Sequence, residues 1–222
     1  MVRLLLSVVL VLIGTYAAAQ GPNGVFLIAK PDLDDPNFRQ TVVLVTQAED
    51  YRTVGVVINR PGKRKLADIV SEDIDASAYK DDVYIGGPIM LRTLVAVFTA
   101  ESAPLAPAFQ VLRSLYMSMH PDNVKQLLAS EGRRYRLYAG FSGWAPMQLK
   151  GEFDGEGWYV LPADADMVFR RDTSGLWDEL IERVRARKTR APGMEISPGF
   201  LLSTARVEKN LSLGPEAVGA WW

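Results

Sequence analysis

Two valine-rich runs constrain this chain more than anything else in it. Residues 41–46 (TVVLVT) and 53–59 (TVGVVIN) are dominated by β-branched side chains, and neither alternates apolar with polar. Runs of this length and composition read as strands, and the missing period of two places apolar groups on both faces. The polar connection between them is short, so the pair reads as a hairpin covered on both sides.

The remaining pattern is mixed. Residues 24–29 form a short buried strand, followed by a turn-rich loop at 31–37. Residues 66–71 suggest a helical turn, and 83–85 a short strand broken by Gly86-Gly87-Pro88. Segments 91–100 and 109–119 each contain a strand, as do 135–141 and 158–161. Pro121, with Val124, Leu127 and Leu128 behind it, starts a helix over 121–130, which His120 caps. Residues 145–152 suggest a short helix, and Leu176, Leu180, Ile181 and Val184 recur at helical spacing within 174–187. Strands and helices do not alternate strictly, which favours α+β over a doubly wound sheet.

The ends differ from the middle. Arg3, the apolar run 4–13 and Ala17-Ala18-Ala19 follow the pattern of a secretory signal cleaved before Gln20. The run is too short to span about 30 Å of hydrocarbon, although an uncleaved anchor is the alternative. Segment 1–19 is therefore assigned to export, 20–190 to one domain, and 191–222, with three prolines and Trp221-Trp222, to a C-terminal extension. The expected location is periplasmic.

Composition removes several chemistries. With no cysteine, thiol nucleophiles, cysteine-held zinc and disulfides are excluded, and the single histidine leaves little room for a zinc hydrolase or a serine triad. A balance of 25 basic against 26 acidic side chains lacks the surplus that phosphate neutralisation requires of a nucleic-acid binder.

Several blocks together resemble the YqgE/AlgH family. They are GVFLIAKP (24–31), Asp35-Pro36-Asn37-Phe38, Thr41-Val42-Val43-Leu44, GVVINRP (55–61), VYIGGP (83–88), Gly140-Phe141-Ser142-Gly143-Trp144 with Gln148-Leu149, then Trp158, Pro162-Ala163-Asp164, Phe169 and Trp177. The resemblance implies an α+β fold whose bifurcated mixed β-sheet curls into a pseudo-barrel with flanking helices. It implies no established enzyme activity, and some family members carry a transcriptional-regulator label; no cofactor is expected. Family members are typically cytoplasmic, so the export segment is a departure, as are Met147 and Lys150 around the Gln-Leu pair.

Candidate sites follow. Asp32, Asp34 and Asp35 could gather a hard cation but read more simply as turn residues. Ser142 lacks the glycine two residues on that a nucleophile elbow needs, and Gly140 and Gly143 suit a sharp strand-to-helix turn. Arg60 with the Gly86 and Gly87 amides could hold an anion; alternatively Asn59 and Arg60 bind loop carbonyls and the glycines adopt positive φ. Arg183, Arg185, Arg187, Lys188 and Arg190 offer a peripheral contact for anionic membrane. The leading expectation is an exported, non-enzymatic binding or regulatory domain. Its surface would comprise Asn59, Arg60, Gly86, Gly87, Trp144 and Gln148, facing a protein or small anionic ligand. A transcription-linked regulator and an atypical hydrolase are the alternatives.

Overall fold

The computed structural model describes residues 24–47, 52–70, 74–145, 148, 149, 152 and 157–190. Residues 1–19, read above as a secretory signal, the 48–51 connection and the extension 191–222 with its terminal tryptophans lie outside these residues.

The hairpin expected from the valine-rich runs is present. Strand β2 (Val42–Gln47) pairs antiparallel with β3 (Thr53–Val57), Val43 opposite Val57. On its other side β2 pairs with β1 (Val25–Ala29), and β1 with the late strand β9 (Trp158–Pro162). The rest of the sheet is β4 (Tyr84–Ile85), β5 (Ile89–Thr99), β6 (Phe109–Leu112), β7 (Leu115–Ser118) and β8 (Tyr135–Trp144). The strand order is β6-β7-β5-β8-β3-β2-β1-β9, with β4 off this path. Helices α1 (Pro121–Leu128), α2 (Ala165–Val168) and α3 (Leu176–Arg190) pack around it. None of the described helices is long and apolar enough to cross a membrane.

Alternate residues of β1 to β3 feed two cores. Phe26, Ile28, Val42, Leu44 and Val56 share one with Val95, Val97 and Tyr138, and Leu176, Leu180 and Val184 of α3 close it. Val25, Leu27, Val43, Val45 and Val57 join Trp144 and Trp158 in the other. At about 1.5–3 kcal/mol per fully buried side chain, these two layers explain why the runs carry no polar alternation. A third core lies on the far side of β5, β7 and β8, where Ala96, Phe98 and Leu137 meet Val124 and Leu127 of α1.

The sheet curls and forks. Gly24 donates to the Val111 carbonyl of β6 at 2.8 Å, joining the start of β1 to a strand near the opposite end of the order. The fork lies on β8. Its C-terminal half pairs with β3, Gly55 opposite Ser142, while Tyr138 and Ala139 pair in parallel with β4. That one parallel pair makes the sheet mixed and bifurcated.

Two local expectations need correction, and one short helix was not anticipated. Residues 109–119 are two strands, because Arg113 and Ser114 turn the chain between β6 and β7. Residues 140–144 are no strand-to-helix turn: β8 runs straight through them, with Gly140 at φ 71° inside the strand. The four-residue α2, capped by Asp164 accepting from the Asp166 and Met167 amides, lay unread between β9 and α3.

Polar groups are buried with unequal provision. Arg136, in β8, donates to the carbonyls of Val168 and Arg170 at 2.7 Å each, and its guanidinium lies 4.3 Å from the Tyr84 ring centroid. It thereby satisfies carbonyls at the end of α2 that the helix itself leaves open. Tyr138 is fully buried, and its hydroxyl has no hydrogen-bond partner among the described residues. Burial pushes its pKa upward, with the Arg136 charge pulling the other way. Removing an unsatisfied buried hydroxyl relieves its desolvation cost, so Tyr138→Phe is expected to stabilise the domain by about 1 kcal/mol. A urea midpoint lower than that of the unmodified chain would refute this.

The Tyr79 hydroxyl accepts from the Leu137 amide at 3.1 Å, and burial pushes its pKa up to about 12. The folded state therefore holds this proton more tightly than the unfolded chain. Its contribution is complete below pH ~10 and is lost as pH rises through about 12, roughly 3 kcal/mol in all. Alkaline titration followed by tyrosinate absorbance and circular dichroism should show a loss of stability in that window that Tyr79→Phe reduces.

Candidate functional site

The expected site gathers around the loop that follows β1. Asp35 accepts from the Asn37 amide through Oδ1 at 2.7 Å, and its carbonyl accepts from the amides of Phe38 and Arg39. That is the turn role foreseen for Asp35. Gln40 completes the loop at φ 56°.

Asn59 and Arg60 brace this loop from the end of β3. Asn59 accepts from the Val42 amide at 2.8 Å and donates to the Gln40 carbonyl at 2.9 Å. Arg60 donates to the Asn37 carbonyl at 2.8 Å. Burial lowers the guanidinium's pKa from its ordinary value, and the charge of Asp35 counters that shift. Both side chains thus bind loop carbonyls, the second of the two readings.

Gly86 and Gly87 sit at the fork. The Gly86 amide donates to Ala139 at 2.9 Å and its carbonyl accepts from Val57 at 2.8 Å, so it ties β8 to β3. Neither glycine has positive φ. Close approach demands them: a Cβ on Gly86 would lie 2.2 Å from the Gly140 carbonyl oxygen, and one on Gly87 2.3 Å from the Phe141 carbonyl. With the Gly86 amide and one arm of Arg60 already engaged, an anion cradle has lost two of its donors.

Trp144 and Gln148 lie on the other side of the same loop. Phe38 stacks against Trp144 at 6.0 Å and meets Trp158 edge-on at 5.4 Å. Glu152 joins the group: one carboxylate oxygen accepts from the indole nitrogens of Trp144 at 3.0 Å and Trp158 at 3.1 Å. Gln148 donates to its other oxygen at 3.5 Å and accepts from the Ala145 amide at 3.0 Å. Both indoles are buried, so they are framework, and of this pair only Gln148 is exposed. Sequence reading missed Glu152, because nothing local distinguishes it from Asp154 and Glu156, the other carboxylates between the two tryptophans.

The other candidates resolve in place. Ser142 is buried, its Oγ 3.5 Å from the Gly86 carbonyl, with no route to a substrate. His120 caps α1, its Nδ1 accepting from the Asp122 amide at 3.2 Å. Arg183 and Arg185 pair with Glu179 and Glu182 on their own helix, and Lys188 lies over the Tyr159 ring.

One surface feature was not anticipated. Ile85, Met90 and Leu91 are 39%, 48% and 54% exposed around the fork. Residues 90–93 loop out between the Ile89–Phe141 and Leu94–Ala139 pairs, opposite Gly140 alone, and Met90 adopts φ 49°. Ile85 and Leu94 both pair with Ala139, which places them in one row across three strands.

The model of the AlgH-like family matches residues 26–188. A UPF0301 protein of Thermobifida fusca is 32% identical over 170 residues, covering 72% of this chain and 86% of its own. A UPF0301 protein of Streptomyces coelicolor is 31% identical over 169 residues, covering 73% and 86%. The solution structure of the AlgH protein from Pseudomonas aeruginosa has a TM-score of 0.60 at 26% identity, over 87% of this chain and 98% of that one. A crystal structure from Corynebacterium diphtheriae, at TM-score 0.56 and 23% identity over 84% and 93%, shares the fold. Sequence blocks, curled sheet and comparisons agree, and the chain belongs to the AlgH-like family.

Proposed function

We propose that this domain is exported and works by binding a protein partner, without catalysis of its own, through the outer surface of the sheet fork. The exposed apolar trio Ile85, Met90 and Leu91 carries the reading. Contiguous apolar surface beside polar groups is characteristic of interaction sites. A non-glycine residue at positive φ costs stability, and such strain tends to persist where function retains it, as at Met90. Arg60 borders the trio, since its carbonyl accepts from the Ile85 amide at 2.9 Å. The rigid glycine crossing beneath holds these side chains in fixed register. A protein fits this surface better than a small anion does, because the donors that would hold an anion already serve the fold.

The test places a photo-crosslinking residue at Leu91 of the full chain in its native cells. A discrete adduct is expected, falling at least tenfold with Ile85→Glu while circular dichroism stays unchanged. No adduct, or one indifferent to Ile85→Glu, overturns the surface. Intact mass of the fractionated protein tests export separately: a periplasmic species starting at Gln20 is expected. Full-length protein in the cytoplasm would remove that half of the reading.

A further inference from the structure

The chemistry of the partner can be read from what frames the apolar patch. Four segments lie side by side across it: residues 60–64, β4, β8 and the outward loop of β5. The first two are joined by Ile85 donating to the Arg60 carbonyl at 2.9 Å and Val83 donating to the Arg64 carbonyl at 3.0 Å. Gly62 lies against Ile85, whose Cγ1 is 3.8 Å from where a Cβ would stand. Across β8, Leu91 Cδ2 is 3.2 Å from the equivalent point on Gly140, so Leu91 folds back over the fork. The exposed apolar centre is therefore Ile85 and Leu91, with Met90 beside them.

Charge is distributed unevenly around that centre. Residues 60–65 (RPGKRK) carry four cations and no carboxylate, and Arg92 is the one charged residue in 83–100. Lys65 is matched by Asp82 at 2.6 Å. Arg64 donates to the Asp68 carbonyl at 2.6 Å, which leaves its charge uncompensated there. Lys63 and Arg92 are exposed and enter no ion pair among the described residues. A surface with an apolar middle and cations on both flanks selects a partner with the opposite rim. A second copy of this chain does not meet that condition, because a face pairing with itself would bring its cations together.

Resting on the proposed binding role, we infer that the fork receives an acidic protein segment. Its apolar side chains seat on Ile85, Met90 and Leu91, between carboxylates that meet Lys63 and Arg92. Rim charges act chiefly on association rate and salt dependence, and the apolar centre on retention.

The crosslink at Leu91 tests this when the joined peptide is sequenced. The expected product is a segment with Asp or Glu on either side of apolar residues. Its yield should fall at least tenfold in the Lys63→Glu/Arg92→Glu variant, survive in Lys63→Arg/Arg92→Lys, and drop as salt rises from 50 to 500 mM. A neutral or basic peptide, a lipid adduct, a second copy of the chain, or a yield indifferent to charge reversal overturns the inference. An adduct that needs Ile85 but ignores both reversals leaves the binding surface standing and removes only the acidic partner.

Discussion

Replacing Gly87 by alanine is expected to cost the domain about 3 kcal/mol or more, a large share of the 5–15 kcal/mol that typically holds a domain together. The added Cβ would stand 2.3 Å from the Phe141 carbonyl carbon and oxygen and 2.4 Å from Ser142 Oγ. Those atoms cannot step aside, because Phe141 pairs with Ile89 of β5 and Ser142 with Gly55 of β3. Gly132 supplies the control: it has φ 75° but nothing within 4 Å of its Cβ position, so alanine there costs only about 1–2 kcal/mol of backbone strain. Urea titration of both variants separates close approach from conformational strain. Equal midpoints would mean the fork is looser than described, and the rigid platform beneath Ile85 and Leu91 would go with it.

Glu152→Ala should be the next most damaging change. It strands two indole N–H groups whose side chains are 4% and 5% exposed. At about 1–3 kcal/mol for each unsatisfied buried donor, the loss is roughly 2–6 kcal/mol. Glu152→Gln keeps an acceptor oxygen at the same place and should retain most of the stability. Tryptophan emission offers a second reading, since loosening of Trp144 and Trp158 lets water in and moves the maximum to longer wavelength. An unchanged midpoint in the alanine variant would show that the shared carboxylate is incidental.

How far the sequence could be read depended on whether a signal was local. The runs at 41–46 and 53–59 announced themselves because β-branched residues buried on both faces leave no polar alternation. Helix α1 was legible from His120-Pro121 and its apolar stripe. The β6–β7 hairpin was not, because Arg113-Ser114 contains neither the glycine nor the asparagine that marks tight turns. Gly140 and Gly143 misled for the converse reason: glycine inside a strand imitates a turn, whereas here Gly140 allows the fork to form. The curled, bifurcated sheet came from the family resemblance; no single segment encodes which strands meet on β8. At the site, Asn59 and Arg60 were found for their chemistry but hold the loop, and the exposed trio escaped notice because isolated apolar residues look like core until their neighbours are known.

Strand β1 has a consequence for how the chain reaches this state. It is flanked on one side by β2 and on the other by β9, more than a hundred residues later, and Trp177 donates to the Ala29 carbonyl across 148 residues. Contacts this distant in sequence make folding slow, because the intervening chain must be ordered before the pairing rewards it. The first strand therefore waits, unpaired on one edge, until nearly the whole domain has left the ribosome. A chain that cannot complete its sheet early keeps a strand edge and apolar faces open for longer, and during that interval aggregation competes with folding.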